Sequence, residues 1–321
     1  MRVAGPIEVK VEKIILETPN VKRFRLVPTD HKLLPAFTGG AHIETTIQTE
    51  EISYIRSYSL TSPPTERHYY EIAIRLDPNS RGGSAFWHNK VDIGHTLKIS
   101  FPRNHFPLSA RGRHHVFYAA GIGITPFITM IRDLRTEDTF ELHYTSPTKE
   151  DCAFYTFLQE HYPDHCTFYF TRSEQPERLT PSLLATHRVG THVYFCGPNE
   201  MIKQFRNAAV EFGYQNEAIH FEIFTRSLDD LPKHPFNVEL VESDVTLEVS
   251  EKETLLEALL KAGIDAPYSC RIGGCGSCEI DVVEGDVDHR DVFLTDENKQ
   301  TRKSILACCS RAKSDKLILK I

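Results

Sequence analysis

The chain has 321 residues, of which 40% are hydrophobic and 25% charged, enough for two or three domains with cores of their own. Its net charge of −7 excludes a basic nucleic-acid binder, and no run approaches the roughly eighteen apolar residues of a membrane span. The N-terminus, Met1-Arg2-Val3-Ala4-Gly5-Pro6, lacks the apolar core of a signal peptide, and with eight cysteines this sets the expectation of a reducing cytoplasm.

Residues 7–105 read as β-rich. Short alternating runs at 7–16, 22–27, 42–47, 57–60, 70–76 and 96–101 are separated by turn residues such as Pro63-Pro64, Asp77-Pro78-Asn79 and Gly94. Many short strands at this spacing predict a barrel. Two features there carry possible chemistry. In Arg56-Ser57-Tyr58-Ser59-Leu60, a strand would put Arg56, Tyr58 and Leu60 on one face and both serines on the other. A cation, an aromatic ring and hydroxyls so close together suit a ring system and a phosphate; alone, an ordinary surface-facing strand is the simpler reading. Ser80-Arg81-Gly82-Gly83-Ser84 opens an expected helix over 85–90. Such turns expose N–H groups to phosphate. The plain alternative is a turn with Ser84 as N-cap.

Residues 112–225 change to α/β. An apolar run at 115–120 suits a buried parallel strand. Gly121-Ile122-Gly123-Ile124-Thr125-Pro126-Phe127 follows, then a helical stretch to about Leu134. The turn lacks the third glycine of the dinucleotide fingerprint, yet strand, glycine turn and helix still make a nucleotide site. Pro126 suits a first helical turn. Strands at 140–144, 167–171 and 192–196 alternate with helices at 153–161 and 199–211, which predicts a parallel sheet. Cys196-Gly197-Pro198 ends a strand at the carboxyl edge, where such sheets bind ligands. A buried structural cysteine is the plain alternative for Cys196.

Residues 226–236, with Asp229-Asp230-Leu231-Pro232, read as a linker. Strands at 237–241 and 245–249, an amphipathic helix at 254–262 ended by Gly263, and strands at 279–283, 304–308 and 317–321 suggest a small mixed sheet crossed by one helix. Residues 237–321 hold 17 acidic and 11 basic side chains, against 27 and 26 elsewhere. The acidity therefore travels with this segment, and suits either a docking face for a basic protein or an ordinary solvated surface.

The strongest signal lies here. Cys270, Cys275 and Cys278 stand at C-x4-C-x2-C, with Cys308 farther on, the plant-type spacing for a [2Fe–2S] cluster. Gly273, Gly274 and Gly276 let the loop fold around inorganic sulfide. Structural zinc sites usually pair two short motifs, and disulfides fit poorly without a secretion signal. Cys308 and Cys309 are adjacent, and on a strand only one would face the cluster.

Taken in order, R-x-Y-S-L, a glycine-serine turn, G-I-G-I-T-P, C-G-P and C-x4-C-x2-C resemble the ferredoxin-reductase type flavoproteins. With the cysteine segment C-terminal, nearly the whole chain resembles the phthalate dioxygenase reductase family. Pro35-Ala36-Phe37-Thr38-Gly39-Gly40, Cys152-Ala153-Phe154 and Cys308-Cys309-Ser310-Arg311-Ala312 look closest to its carnitine monooxygenase reductase branch. The resemblance implies an FMN-binding β-barrel over 1–110, a NAD-binding α/β domain over 111–225 and a β-grasp [2Fe–2S] ferredoxin domain over 237–321. It implies Arg56 on the flavin phosphate, Tyr58 against the isoalloxazine, Ser59 near flavin N5 with Leu60 beside it, and Arg81, Gly82, Gly83 and Ser84 as the phosphate turn. It implies Gly121, Gly123 and Thr125 at the NADH pyrophosphate and nicotinamide, Cys196, Gly197 and Pro198 in the nicotinamide pocket, and Phe224 covering the flavin. It implies Cys270, Cys275, Cys278 and Cys308 as cluster ligands, the last because Ser-Arg-Ala follows at family spacing although Cys308-Cys309 replaces the usual Cys-Val.

NADH gives electrons in pairs and a [2Fe–2S] centre takes them singly; a flavin can do both. The expected activity is therefore an NADH-dependent reductase that feeds a separate Rieske non-haem iron oxygenase, with no nucleic-acid or membrane partner. Rival readings are a reductase for a diiron or haem oxygenase, a free flavin reductase, and a redox-sensing regulatory protein without turnover. NADH is expected over NADPH, although Lys149 and Arg172 offer charge for a 2′-phosphate.

Overall fold

A computed structural model of the chain describes residues 6–48, 53–78, 82–224 and 234–321. The expected linker falls mostly outside these residues, as does Arg81. The chain divides into two units, Met1–Phe221 and Glu222–Ile321.

The first unit begins with strands β1 (Ile7–Thr18), β2 (Val21–Pro28), β3 (His42–Gln48), β4 (Ser53–Ser59), β5 (Tyr70–Arg75) and β6 (Thr96–Ile99), with helix α1 (Gly83–Asn89) between the last two. Their order is β4-β3-β6-β1-β2-β5, and a Leu60–Ile72 bridge just beyond β4 joins the two edges. The sheet thus closes into the expected antiparallel barrel. Alternation places Val9, Val11, Phe24, Leu26, Ile43 and Ile72 inside. Trp87 of α1 is fully buried among them, its ring 4.8 Å from that of Phe24. Burying a ring of this size contributes roughly 4–6 kcal/mol of transfer free energy.

Five further strands follow: β7 (His114–Ala120), β8 (Thr139–Ser146), β9 (Cys166–Phe170), β10 (His192–Cys196) and β11 (Ile219–Glu222). Helices α2 (Thr125–Arg132), α3 (Tyr155–His161) and α4 (Asn199–Glu211) alternate with them. The sheet order is β11-β10-β7-β8-β9, and β7 pairs in parallel with both β8 and β10. The chain therefore reverses direction across the sheet between β7 and β10, where α/β sheets open a ligand crevice.

The second unit holds strands β12 (Phe236–Leu240), β13 (Val245–Val249), β14 (Glu279–Glu284), β15 (Val287–Asp288), β16 (Ser304–Leu306), β17 (Arg311–Ala312) and β18 (Lys316–Lys320), with helices α5 (Leu255–Lys261) and α6 (Asp296–Thr301). The main sheet is mixed, in the order β13-β12-β18-β14-β16. Helix α5 buries Leu255, Leu256 and Leu259 in the core with Val238, Leu317 and Leu319. Thr254 caps it in a reciprocal box with Glu257.

Two local expectations need correcting, and one helix was not foreseen. Strand β16 stops at Leu306, and residues 307–309 form a turn. Strand alternation therefore does not separate Cys308 from Cys309, and both are buried. Ser84 is not an N-cap: the cap lies two residues earlier at Gly82, whose φ of 106° suits glycine, and the Ser84 hydroxyl accepts the Asp77 N–H at 3.1 Å. Helix α6 reads DENKQT and has no apolar period to betray it; its cap is Thr295, accepting the Asn298 N–H.

Candidate functional site

All eight cysteines are free thiols. Cys152 and Cys166 lie in the first unit, where burial pushes each thiol up to about 12, as expected of inert core residues. In the second unit four thiols gather. The Cys270 thiol hydrogen-bonds Cys275, which raises Cys270 and lowers Cys275, the latter helped by the Ser277 hydroxyl at 3.3 Å. Cys278 is lowered by the Cys308 thiol, and the Cys308 N–H lies 3.5 Å from its sulfur. Cys275 in turn acts electrostatically on Cys278, so the two pairs adjoin. The Cys308 thiol also hydrogen-bonds Cys309, whose sulfur lies 3.7 Å from the Leu306 carbonyl oxygen, so a fifth thiol adjoins the set.

Glycine makes this crowding possible. Gly273 has φ 80°, and a Cβ there would stand 2.7 Å from the Cys309 sulfur; one on Gly276, φ 76°, would stand 2.4 Å from the Phe293 ring. A half-buried loop with an all-sulfur donor set on a glycine-relieved backbone fits an iron–sulfur cluster. Phe224 belongs to this second unit, beside Ile223, whose side chain packs against Gly274.

In the first unit the structure brings two predicted motifs together. Gly121–Ile124 forms a 3-10 turn between β7 and α2, and Thr125 bonds back to the Ile122 carbonyl at 3.0 Å. Cys196 ends β10 beside Ala119 of β7. A Cβ on Gly123 would lie 2.2 Å from the Cys196 carbonyl oxygen, and one on Gly197 would lie 2.8 Å from the Ala120 Cβ. The two turns therefore touch backbone to backbone at the crevice. Pro198 starts α4, and Cys196 is wholly buried. Main chain, with little side-chain bulk, is thus what this end of the sheet presents at its switch point.

On the barrel, Arg56 and Tyr58 lie along β4, and Ser59 and Leu60 are buried at its end. The Tyr58 ring meets Trp87 edge-on at 5.9 Å, and burial raises its hydroxyl well above 10. A Cβ on Gly83 would lie 3.0 Å from Arg56 Nε, so the start of α1 rests on the arginine stem. The strand and the glycine turn thus form one cradle: a cation, an aromatic ring and a bare helix start, a donor set that fits a flavin phosphate and ring.

Sequence reasoning missed what joins barrel and sheet. The N–H groups of Gly39 and Gly40 donate to Asp133 Oδ2 (2.7 Å) and Thr129 Oγ1 (2.9 Å) at the end of α2, and Arg132 donates to the Thr61 carbonyl at 2.9 Å. Gly39 lies so close to Met130 that a Cβ would reach within 2.7 Å of its Cα. The paired glycines in a Pro-Ala-Phe-Thr-Gly-Gly phrase were the only visible signal.

Three family models match the chain in order: an oxidoreductase FAD-binding domain over 8–107, a dimethylamine monooxygenase subunit DmmA-like N-terminal domain over 98–219, and a 2Fe–2S iron–sulfur cluster binding domain over 238–313. The carnitine monooxygenase reductase subunit of Escherichia coli is 40% identical over 97% of each chain. The solved structure of phthalate dioxygenase reductase, described as modular for electron transfer from pyridine nucleotides to [2Fe–2S], superposes with a TM-score of 0.79 at 30% identity, covering 99% of this chain and 98% of the other. An intact type IV self-sufficient cytochrome P450 monooxygenase matches with a TM-score of 0.79 at 33% identity, over 98% of this chain and 41% of that longer one.

Proposed function

Because the chain belongs to the phthalate dioxygenase reductase family, we propose that it is the NADH-dependent reductase component of a two-component oxygenase. It takes electron pairs from NADH and delivers them singly to a separate oxygenase of the Rieske non-haem iron type, in the cytoplasm. The observation that carries this reading is the ordered presence, on one chain, of a barrel cradle, a nucleotide crevice and a four-thiol loop. A bound flavin supplies the exchange between two-electron and one-electron chemistry.

The residues divide the work. The FMN domain is taken as 1–110, the NAD domain as 111–225, and the ferredoxin domain as 237–321 after a linker at 226–236. Arg56, with Arg81, Gly82, Gly83 and Ser84, holds the FMN phosphate; a single-phosphate cofactor suits two guanidinium groups and one helix start. Tyr58, Ser59 and Leu60 orient the ring, and Phe224 shields it. Gly121, Gly123 and Thr125 offer main-chain donors to the NADH pyrophosphate, while Cys196, Gly197 and Pro198 shape the nicotinamide pocket without a side chain in the way. Lys149 lies over the Tyr155 ring at 4.7 Å while Arg172 stays exposed, and the choice of NADH over NADPH rests on the family. Cys270, Cys275, Cys278 and Cys308 hold the cluster. The acidic excess of residues 237–321 suits a basic face on the acceptor.

One observation favours a second acceptor: the same architecture forms part of the cytochrome P450 chain described above. A haem oxygenase is therefore the alternative to the Rieske type. The experiment is an anaerobic absorbance titration with NADH, followed by turnover with Rieske and haem acceptors in parallel. Flavin and iron–sulfur bands that bleach together support the reading. Absent flavin, or a cluster that NADH leaves oxidised, refutes it. Turnover with the haem acceptor alone moves the assignment to the alternative.

A further inference from the structure

A second cluster of ligating side chains lies at the opposite edge of the parallel sheet from the nucleotide crevice. The parallel register sets His114 beside Thr139, Val116 beside Glu141 and Tyr118 beside His143. Alternate residues share a face, so His114, Tyr118, Thr139, Glu141 and His143 project together from the amino-terminal parts of β7 and β8. His187 joins them from the segment after a 3-10 turn at Pro181–Thr186. The far ends of these strands, about 20 Å away at ~3.3 Å per residue, carry the glycine turns.

The geometry points to a site for a first-row divalent cation, with zinc as its probe, bound by His114 Nε2, the Glu141 carboxylate and His187 Nδ1. One ligand atom from each of these three residues lies within 4.8 Å of the other two. His114 Nε2 is 3.1 Å from Glu141 Oε1, and His187 Nδ1 is 3.9 Å from Oε2. Zinc bonds of ~2.0–2.2 Å in a tetrahedron require ligand atoms about 3.3–3.6 Å apart, so side-chain shifts of about 1 Å close the site. Glu141 is half-exposed in a surface pocket with Thr186 and Arg188, which gives the ion an entrance.

Two independent features aim the nitrogens inward. The outer nitrogen of each imidazole meets a hydroxyl: His114 Nδ1 and Thr139 Oγ1 at 2.8 Å, His187 Nε2 and Tyr118 Oη at 2.6 Å, His143 Nδ1 and Tyr169 Oη at 3.0 Å. With no ion bound, His114 Nε2 donates to Glu141 Oε1; a hydroxyl at the outer nitrogen can accept the ring proton once an ion takes the inner one, the arrangement that orients metal-bound histidine. Second, His143 is only 8% exposed, yet its Nε2 makes no hydrogen bond and stands 3.6 Å from Glu141 Oε2. Its one close polar neighbour is thus the carboxylate at ion-pair distance, and an ion on Glu141 would offer this weakly held nitrogen a place as a fourth ligand. Arg188 donates to Thr139 Oγ1 at 3.0 Å; its charge counts against a dication and tempers the affinity.

The test uses the full holoprotein, with flavin and cluster loaded so that the cluster thiols are occupied. It is dialysed against micromolar zinc, and zinc and iron are measured in the same sample by mass spectrometry. The expected result is one zinc per chain beyond the iron, and a higher melting temperature with zinc present. Glu141→Gln combined with His187→Asn should weaken binding more than tenfold. Tyr118→Phe, which keeps the buried ring and removes only the hydroxyl, should weaken it about tenfold as an outer-shell loss. Cys152→Ala should leave it unchanged. NADH-dependent bleaching should persist in every variant, so failure here is distinct from failure of the reductase reading. No stoichiometric zinc in the wild type, or undiminished zinc in both the double variant and Tyr118→Phe, overturns the proposal. Tyr118→Phe decides the matter if the double variant does not fold.

Discussion

At the cysteine loop the chemistry sits in side chains; at the nucleotide crevice it sits in their absence. The loop gathers thiols from 270, 275, 278 and 308, and only cysteine supplies such a donor set. The crevice is made where Gly123 approaches the Cys196 carbonyl and Gly197 approaches Ala120, so its specification is clearance. A donor set names its ligand. A clearance says only that something, ligand or backbone, comes close. The first region is therefore specific in sequence and the second is ambiguous, although both depend on glycine.

The contrast can be broken most severely at the loop. Cys278→Ala should abolish the cluster: iron per chain falls to near zero while flavin content stays at wild-type level. Iron retained at full stoichiometry would mean that other thiols can complete the set. At the crevice, Gly123→Val places a branched side chain where a Cβ already meets backbone at 2.2 Å. We expect kcat/KM for NADH to fall by at least about 100-fold, the scale of a 1 Å misplacement, with iron and flavin content unchanged. An unaffected rate would show that the crevice does not receive the nucleotide.

Acid sharpens the comparison between the two units. Burial brings His42, His115 and His220 of the first unit down to about 4, with neighbouring positive groups contributing to each and Asp138 opposing the shift in His115. The unfolded chain binds protons at these residues below about 6.5, whereas the folded chain resists until about 4. Stability of the first unit should therefore decline as pH falls through that window. Calorimetry from pH 7 to 4 should show its melting temperature dropping, and His220→Gln should reduce the drop. A fall of equal steepness in the variant would remove His220 from the account. The smallest effect belongs to the second unit: Thr254→Ala removes a capping box and should cost about 1 kcal/mol, seen in denaturant melts with the cluster intact.

The sequence made the architecture legible where periodicity was strong. Val245–Val249, His192–Cys196 and Asn199–Glu211 stand at the bounds their patterns imply. It misled where a local rule was applied to the wrong backbone. Strand alternation could not sort Cys308 from Cys309, because the chain turns after Leu306. The phosphate turn looked capped by Ser84, but glycine at positive φ starts that helix. Helix α6 was invisible because it is polar all round. The bonds from Gly39 and Gly40 to α2 join residues some ninety positions apart and leave no periodic trace.

Those bonds make α2 a common datum. Its first residues close the nucleotide turn, and its last residues grip the loop that leads into the flavin barrel. Positional error at one site is thus referred to the same rigid segment as error at the other, and does not accumulate across a joint. A substitution at Gly39, which lies on neither, would move the Gly121–Ile124 turn and the barrel loop out of gauge at once.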